Sequence, residues 1–395
     1  MKEASCLDHN YVLIEKTGTG NYSDVYRAAI KGTDIPVAIK AIKKESTSLS
    51  QFEREVKNLS NINHPFIVKM FDYFEDSEHF YIVFEFVQGC TLLKYINEHG
   101  PVSIEGSKYL FTQLVFAMHY YQTQMHLVHR DFKCENIIVD SNLDIRIIDF
   151  GLGREFVQDN SCMKTRCGSI HYVSPEIIKG NGYSEKAEIW SLGIVLYALQ
   201  TKKMLFAGEN YNLVMNQILD YVPYFEHMNK DTIEVLTRMM DKNDQTRISI
   251  EELLDSQYVK SSKFYNAIEE GINAFQSISQ ASQNNISITE KVIFRNRQLM
   301  NYREVMSLHE AEIKRAFKTL SISSKNTQSY TNFPSHKPRA LSMIENPKTN
   351  FSHQNNQAHT PKSFKCVGPV ILQTCRYSGS LKKRTLTPSF MEHTS

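Results

Sequence analysis

The sequence predicts an α+β fold in two lobes, the first rich in strands and the second mainly helical. Three observations carry this. Residues 11–87 hold short β-rich runs punctuated by glycine, with one helical stretch among them. From Gly89 onward the spacing of apolar residues turns helical. Finally, Ile189–Leu199 is apolar almost throughout, the pattern of a helix buried on every side at the centre of a lobe.

In the first lobe Tyr11–Glu15, Asp24–Ile30 and Pro36–Ile42 read as strands, separated by Gly18, Gly20 and Gly32. Ser50–Leu59 is polar apart from Phe52, Val56 and Leu59 at helical spacing, which predicts one helix ending before Asn63-His64-Pro65. Ile67–Phe74 and Phe80–Val87 read as two more strands. In the second lobe Leu92–Asn97 and Ile104–Met125 read as helices, the latter with Leu110, Leu114, Ala117, Met118 and Tyr121 along one face. Short strands are expected at Ile137–Val139 and Ile145–Ile148, and mostly helix from there to about Val259. Residues 260–320 carry weaker signals. Phe264, Ile268, Ile272 and Phe275 suit one helix, and Val305, Ile313 and Phe317 another. This stretch is expected to be a partly helical extension that packs on the second lobe or forms a small add-on.

The chain has 395 residues, of which 41% are hydrophobic and 22% charged, a globular mix that excludes wholesale disorder. Its longest apolar run is too short for a bilayer, which needs about 20 residues, and no cationic, apolar signal opens it. The seven cysteines are scattered without a Cys-x-x-Cys pair, which argues against a disulfide framework or a zinc site and for a reducing compartment, cytoplasm or nucleus. Charge is uneven. Residues 321–395 hold 10 Lys and Arg against 2 Asp and Glu, so this tail carries +8 and the remainder −6. The tail also has 6 prolines, 20 Ser and Thr and few large apolar residues. It is expected to be disordered, because it buries too little surface to offset its ordering entropy. A tail of this charge would bind acidic surfaces weakly and with strong salt dependence.

Chemistry begins with Gly18-Thr19-Gly20-Asn21-Tyr22-Ser23-Asp24-Val25, between two predicted strands. Glycines let backbone amides approach phosphate oxygens. A strand follows the loop, which argues against a dinucleotide-binding loop, and no Gly-Lys-Ser/Thr run follows. Val37-Ala38-Ile39-Lys40 lies downstream, its lysine fifteen residues after Val25. A lysine there would hold phosphates and would need an acidic partner, for which Glu55 in the predicted helix is the best candidate and Glu53 the decoy. The strongest segment is His129-Arg130-Asp131-Phe132-Lys133-Cys134-Glu135-Asn136, followed by Asp149-Phe150-Gly151 across two short strands.

These motifs, in this order, resemble those of the eukaryotic protein kinases, and in particular the calcium/calmodulin-dependent and AMP-activated group of serine/threonine kinases. Ser174-Pro175-Glu176 stands in place of Ala-Pro-Glu. The resemblance covers residues 11–259, with an amino-terminal lobe at about 11–87 and a carboxyl-terminal lobe at about 88–259. It implies the bilobal protein kinase fold and the use of ATP and Mg2+ to phosphorylate Ser and Thr hydroxyls of protein substrates. It further implies an adenine site between Val25 and Ala38, with the backbone of Glu85–Val87 at its edge and Phe84 as gatekeeper. Lys40 would bond the α- and β-phosphates and pair with Glu55. Asp149 and Asn136 would hold magnesium. Asp131 would accept the substrate proton, and Lys133 would neutralise the transferred group. Thr165 falls where the family carries its activating phosphate, added by an upstream kinase, with Arg130 and Arg154 to clasp it.

The resemblance extends to structural residues. Glu176 and Arg247 look like the buried pair that ties the activation segment to the lower lobe, and Leu59, Met70, His129 and Phe150 like the stack assembled in active kinases. Departures from the family pattern are Ser23 for the third loop glycine and Glu188 for an aspartate before Trp190. They are the only support for a second reading, a pseudokinase scaffold that binds nucleotide or partners without turnover. Glu135 could read a basic residue of the substrate, while Thr91 replaces an acid often used for an arginine. Arg339-Ala340-Leu341-Ser342 and Lys382-Lys383-Arg384-Thr385 in the tail resemble sites of basic-directed kinases.

Overall fold

Six strands and one capped helix build the amino-terminal lobe. The structure, a computed structural model, describes residues 6–8, 10–20, 23–150, 168–181, 184–208, 210–222, 224–225, 228–278 and 286–318. Strands β1 (Cys6–Asp8), β2 (Tyr11–Thr19), β3 (Ser23–Ile30) and β4 (Pro36–Lys43) precede helix α1 (Leu49–Ser60), and β5 (Met70–Glu75) and β6 (His79–Glu85) follow it. They form one antiparallel sheet in the order β1-β2-β3-β4-β6-β5. Register decides which residues share a face. Val25 pairs with Lys40, and Lys40 with Ile82; Ala38 pairs with Phe84. Because side chains alternate with period two, Val25, Ala38, Lys40, Ile82 and Phe84 lie on one face. Val37, Ile39 and Ala41 lie on the other, in a separate core with Phe71, Phe74 and Tyr81.

Helix α1 starts at a capping box, in which Ser48 and Gln51 satisfy each other's backbone amides, an arrangement that stabilises a helix start by about 1 kcal/mol. Its inner face buries Phe52, Glu55, Val56 and Leu59, and Phe52 stacks on Phe80 at 4.4 Å. Each such apolar side chain contributes roughly 1.5–3 kcal/mol on burial. That same face carries Glu55 towards the Lys40 face of the sheet.

The second lobe opens with β7 (Gly89–Thr91) and α2 (Leu92–His99), which Thr91 caps by accepting from Lys94 N at 3.2 Å. Helix α3 (Ile104–His119) continues into one wide π-helical turn, Tyr120–Gln124. Strand β8 (Ile137–Asp140) pairs with both β7 and β9 (Ile145–Ile147) in a small sheet. Beyond them come α4 (Pro175–Ile178), α5 (Glu185–Thr201), α6 (Tyr211–Asp220), α7 (Lys230–Met239), α8 (Ile250–Leu254) and α9 (Gln257–Lys260). Helix α5 is buried along nearly its whole length, with Trp190 fully enclosed, as its apolar run predicts. The lobes are stitched where Ile147 N donates to Phe66 O at 2.8 Å and Val68 N donates to Ile147 O at 3.0 Å.

Three helices follow: α10 (Tyr265–Ser277), α11 (Ile288–Ser307) and α12 (Glu310–Lys318). They pack on both lobes, where the sequence offers the second lobe or a small add-on. Helix α11 contributes Val292 to the sheet core of the first lobe, while its Tyr302 meets Phe66 edge-on at 5.4 Å and donates to Asp144 at 3.2 Å in the second. Gly271 makes the close approach of α10 and α11 feasible, since a methyl group there would lie 2.7 Å from the Tyr302 ring. Among the described residues no helix is long and apolar enough to cross a membrane.

Arg247 holds the second lobe together. It makes two bonds to Glu176, of 2.7 and 2.9 Å, donates to Asp241 O and Lys186 O, and stacks on Trp190 at 5.3 Å. Breaking such a buried pair strands a charge and costs about 3–5 kcal/mol. Arg247→Met is therefore expected to lower the thermal unfolding midpoint sharply. A midpoint within a degree of wild type would show that the pair contributes nothing net.

Candidate active site

The glycine hairpin closes where Gly20 N donates to Ser23 O at 2.7 Å, and a methyl on Gly20 would crowd that oxygen at 3.3 Å. Gly18, Thr19, Ser23 and Val25 sit on the two strands of this hairpin, while Asn21 and Tyr22 lie outside the described residues. Lys16 pairs with Asp24 at 2.8 Å and braces the hairpin base. Val25, Ala38 and Phe84 share a face and are each partly buried. Glu85 ends β6, and Val87 follows it in the segment joining the lobes.

The catalytic-loop candidates converge. Lys133 Nζ lies 2.6 Å from Asp131 Oδ2. Asn136 Nδ2 donates to Asp131 O at 2.8 Å and to Asp131 Oδ2 at 3.0 Å. Asp131 N donates to His129 Nδ1 at 3.3 Å, and His129 Nε2 bonds Ile148 O at 2.9 Å, which ties this loop to the segment carrying Asp149. Arg130 and Asp149 both have left-handed backbones, at φ 68° and 59°. Strain of about 1–3 kcal/mol at such positions is typical of sites where the surroundings fix a residue's direction. The side chain of Arg130 is exposed. Thr165 and Arg154 lie outside the described residues.

Glu188, which stands where the family has an aspartate, reaches the backbone of the catalytic loop. Its Oε1 accepts from Arg130 N at 2.7 Å, and its Oε2 accepts from Tyr121 Oη at 3.0 Å and Gln122 Nε2 at 3.1 Å. The wide turn after α3 presents Tyr121 and Gln122 together, and neither role is visible from spacing alone. Tyr121 also meets the Phe150 ring edge-on at 5.1 Å. Leu59, Met70, His129 and Phe150 are all buried, with the His129 and Phe150 rings 4.7 Å apart.

One expected pair is not formed. Lys40 Nζ donates to Asp149 Oδ1, and among the described residues no ion pair joins Lys40 to Glu55. Among the described residues, Glu55 Oε2 is buried with no hydrogen-bond partner. Burial pushes the Glu55 carboxyl up to about 8, against the opposing pull of Lys40. A neutral acid competes poorly for an ammonium. The Lys40 charge holds Asp149 below the usual carboxylate range despite the opposing effect of burial. Burial alone would depress Lys40, but Asp149 and then Glu55 lift it above its ordinary value. A small cleft lined by Glu55, Asn58, Leu59, Ile62 and Leu127 opens beside Phe150.

The family model described as the protein kinase domain matches residues 11–259, more than half of the chain. The chain belongs to this family. Family membership implies ATP and Mg2+ as cosubstrate and cofactor. Relatives include a probable serine/threonine-protein kinase of Dictyostelium discoideum, 32% identical over 62% of this chain and 30% of the relative. The serine/threonine-protein kinases SIK1 of Mus musculus and Rattus norvegicus are each 33% identical over 63% of this chain and 32% of their own length. The matched segment thus spans about a third of the length of these relatives.

Folded Glu55 keeps its proton up to a pH of about 8, whereas an unfolded glutamate loses it at about 4.3. Between those values the folded state binds more protons, so this residue's contribution to stability falls as pH rises. The melting temperature of Glu55→Gln is therefore expected to decline less than that of wild type from pH 5 to 8. Parallel declines would show that Glu55 is ionised throughout.

Proposed function

We propose that this chain is a protein serine/threonine kinase that transfers the γ-phosphoryl group of ATP, with Mg2+, to serine and threonine hydroxyls of protein substrates. The observation that carries the reading is the meeting of Lys133 and Asn136 on Asp131 Oδ2, at 2.6 and 3.0 Å, in a loop bonded through His129 to the segment of Asp149. The names of the relatives support the acceptor type.

The residues present fit a magnesium ion. Asp149 is held ionised by Lys40, and the Asn136 amide nitrogen is engaged by Asp131, which leaves its carbonyl oxygen for a cation. Two hard oxygen donors suit magnesium, which keeps further sites for phosphate oxygens and water. When bound, the ion neutralises charge on the phosphates. The protein's own part is positioning. Val25 and Ala38 enclose the adenine, the backbone of Glu85–Val87 bonds its edge, and the Gly18–Ser23 hairpin covers the phosphates. Asp131 orients the substrate hydroxyl and accepts its proton at Oδ, and Lys133 offsets the charge of the transferred group.

The described arrangement has Lys40 on Asp149 and a proton on Glu55. For transfer, Lys40 must leave Asp149 and pair with Glu55, which releases its proton. Phosphorylation of Thr165 by an upstream kinase, clasped by Arg130 and Arg154, supplies a reason for that exchange, since it orders the segment after Asp149. Glu135 recognises a basic residue of the substrate; in the described state its Oε2 accepts from Tyr172 Oη at 3.3 Å. The basic tail binds acidic surfaces weakly, and the protein works in the cytoplasm or nucleus.

Labelled phosphate transfer from ATP with magnesium to a degenerate Ser/Thr peptide library tests the reading, with phosphosites mapped on the enzyme as well. Asp131→Asn is expected to lose about 10²–10⁴-fold in kcat. Equal transfer by both proteins would remove Asp131 from its role. Absence of transfer by wild type, after an added kinase has modified Thr165, would favour a scaffold.

A further inference from the structure

Helix α11 lies outside residues 11–259, yet one of its buried side chains reaches the junction of the lobes. Arg295 is 1% exposed. Its Nε donates to Glu85 Oε2 at 2.9 Å, and its Nη2 donates to His64 O at 3.1 Å and Ile67 O at 2.9 Å. Phe275 of α10 lies against the guanidinium at 4.9 Å. Arg146, itself buried, approaches the other oxygen of Glu85 at 3.4 Å, and Lys69 N donates to Glu85 Oε2 at 3.3 Å.

A buried guanidinium is a poor way merely to dock a helix. Its desolvation costs several kcal/mol, and an apolar side chain of similar volume often packs as well or better. What an apolar side chain cannot do is fix a carboxylate and two carbonyls in one plane, which the guanidinium fork does. The groups it fixes are informative. Glu85 is where β6 ends and the lobes join. His64 and Ile67 belong to the connector from α1 to β5, the segment stitched to β9.

We propose that Arg295 is a positioning residue of the nucleotide site: it fixes Glu85 from behind, so that the backbone of Glu85–Val87 meets the adenine edge in a set orientation. This rests on the kinase reading above. The helix is anchored for the task on both sides of the junction. Lys291 Nζ donates to Phe71 O at 3.0 Å in the first lobe, and Arg303 pairs with Asp140 at 3.2 Å in the second. Loosening the fork therefore degrades nucleotide affinity while leaving the catalytic loop and the peptide site as they are.

The test uses the full chain and separates the substrates. For wild type, Arg295→Met, Arg295→Lys and Tyr302→Phe, one measures kcat, KM for ATP, KM for a peptide, and ADP binding by calorimetry. Arg295→Met is expected to raise the ATP KM and the ADP Kd about tenfold, the loss of one charge-assisted contact, with kcat and peptide KM within about twofold. Arg295→Lys keeps the charge opposite Glu85 but not the fork, and an intermediate rise of about threefold is expected. It provides the decisive reading if the methionine variant does not fold. Tyr302→Phe loosens α11 on the second lobe without touching Glu85, and is expected to leave the ATP KM unchanged. Unchanged nucleotide parameters in folded Arg295 variants, a joint shift of both KM values with kcat, or an equal effect of Tyr302→Phe would overturn the assignment. A wild type that neither binds ADP nor transfers phosphate defeats the kinase reading itself.

Discussion

One ammonium, Lys40, stands between two carboxylates that differ in their access to water. Asp149 is partly exposed and stays ionised, while Glu55 is buried on the inner face of α1 and holds its proton. The elements around the cleft can be understood as the supports of this contest. Register places Lys40 on the cleft face, the capped start of α1 fixes Glu55 opposite it, and the bond from His129 to Ile148 O fixes the approach of Asp149. Whichever carboxylate holds the ammonium decides whether the other is free for a different partner. The geometry is therefore one of alternatives, and small shifts of α1 weigh on it because a buried charge is costly to leave alone.

The substitution at Glu188 shows how a lengthened side chain can be absorbed. One extra methylene would crowd the catalytic loop if the neighbouring backbone were unchanged. Here α3 widens into a π-turn, a feature common near functional sites, and Tyr121 and Gln122 take the second carboxylate oxygen. The first oxygen is left for Arg130 N. Because Tyr121 also supports the Phe150 ring, the catalytic loop and the Asp149 segment share one support.

Much of this is legible in the sequence. The strands β2 to β6 and the helix α1 follow from alternation and from Phe52, Val56 and Leu59, and the motif residues of the site follow from type and order. Strands β1 and β7 span three residues each, too short for alternation to register. Helix α11 hides for another reason. It packs against two lobes and buries Arg295 and Gln298, so its inner face is no apolar stripe. Val305, whose spacing suits a helix shared with Ile313 and Phe317, belongs to α11, while the other two belong to α12. The partner of Lys40 is illegible because it depends on how much water each carboxylate keeps, a property of the folded chain.

The bond between Glu85 and Arg295 joins residues 210 positions apart. At a synthesis rate of about 5–20 residues per second, roughly 10–40 s separate their emergence. During that interval the first lobe lacks Val292 on its outer core, and Glu85 has yet to meet the guanidinium that completes its shell. The junction between the lobes is thus finished last, by a segment outside the recognised domain. A nascent chain of this protein passes through a long stage with an apolar surface uncovered, and its yield in a cell depends on whatever shields that surface until α11 arrives.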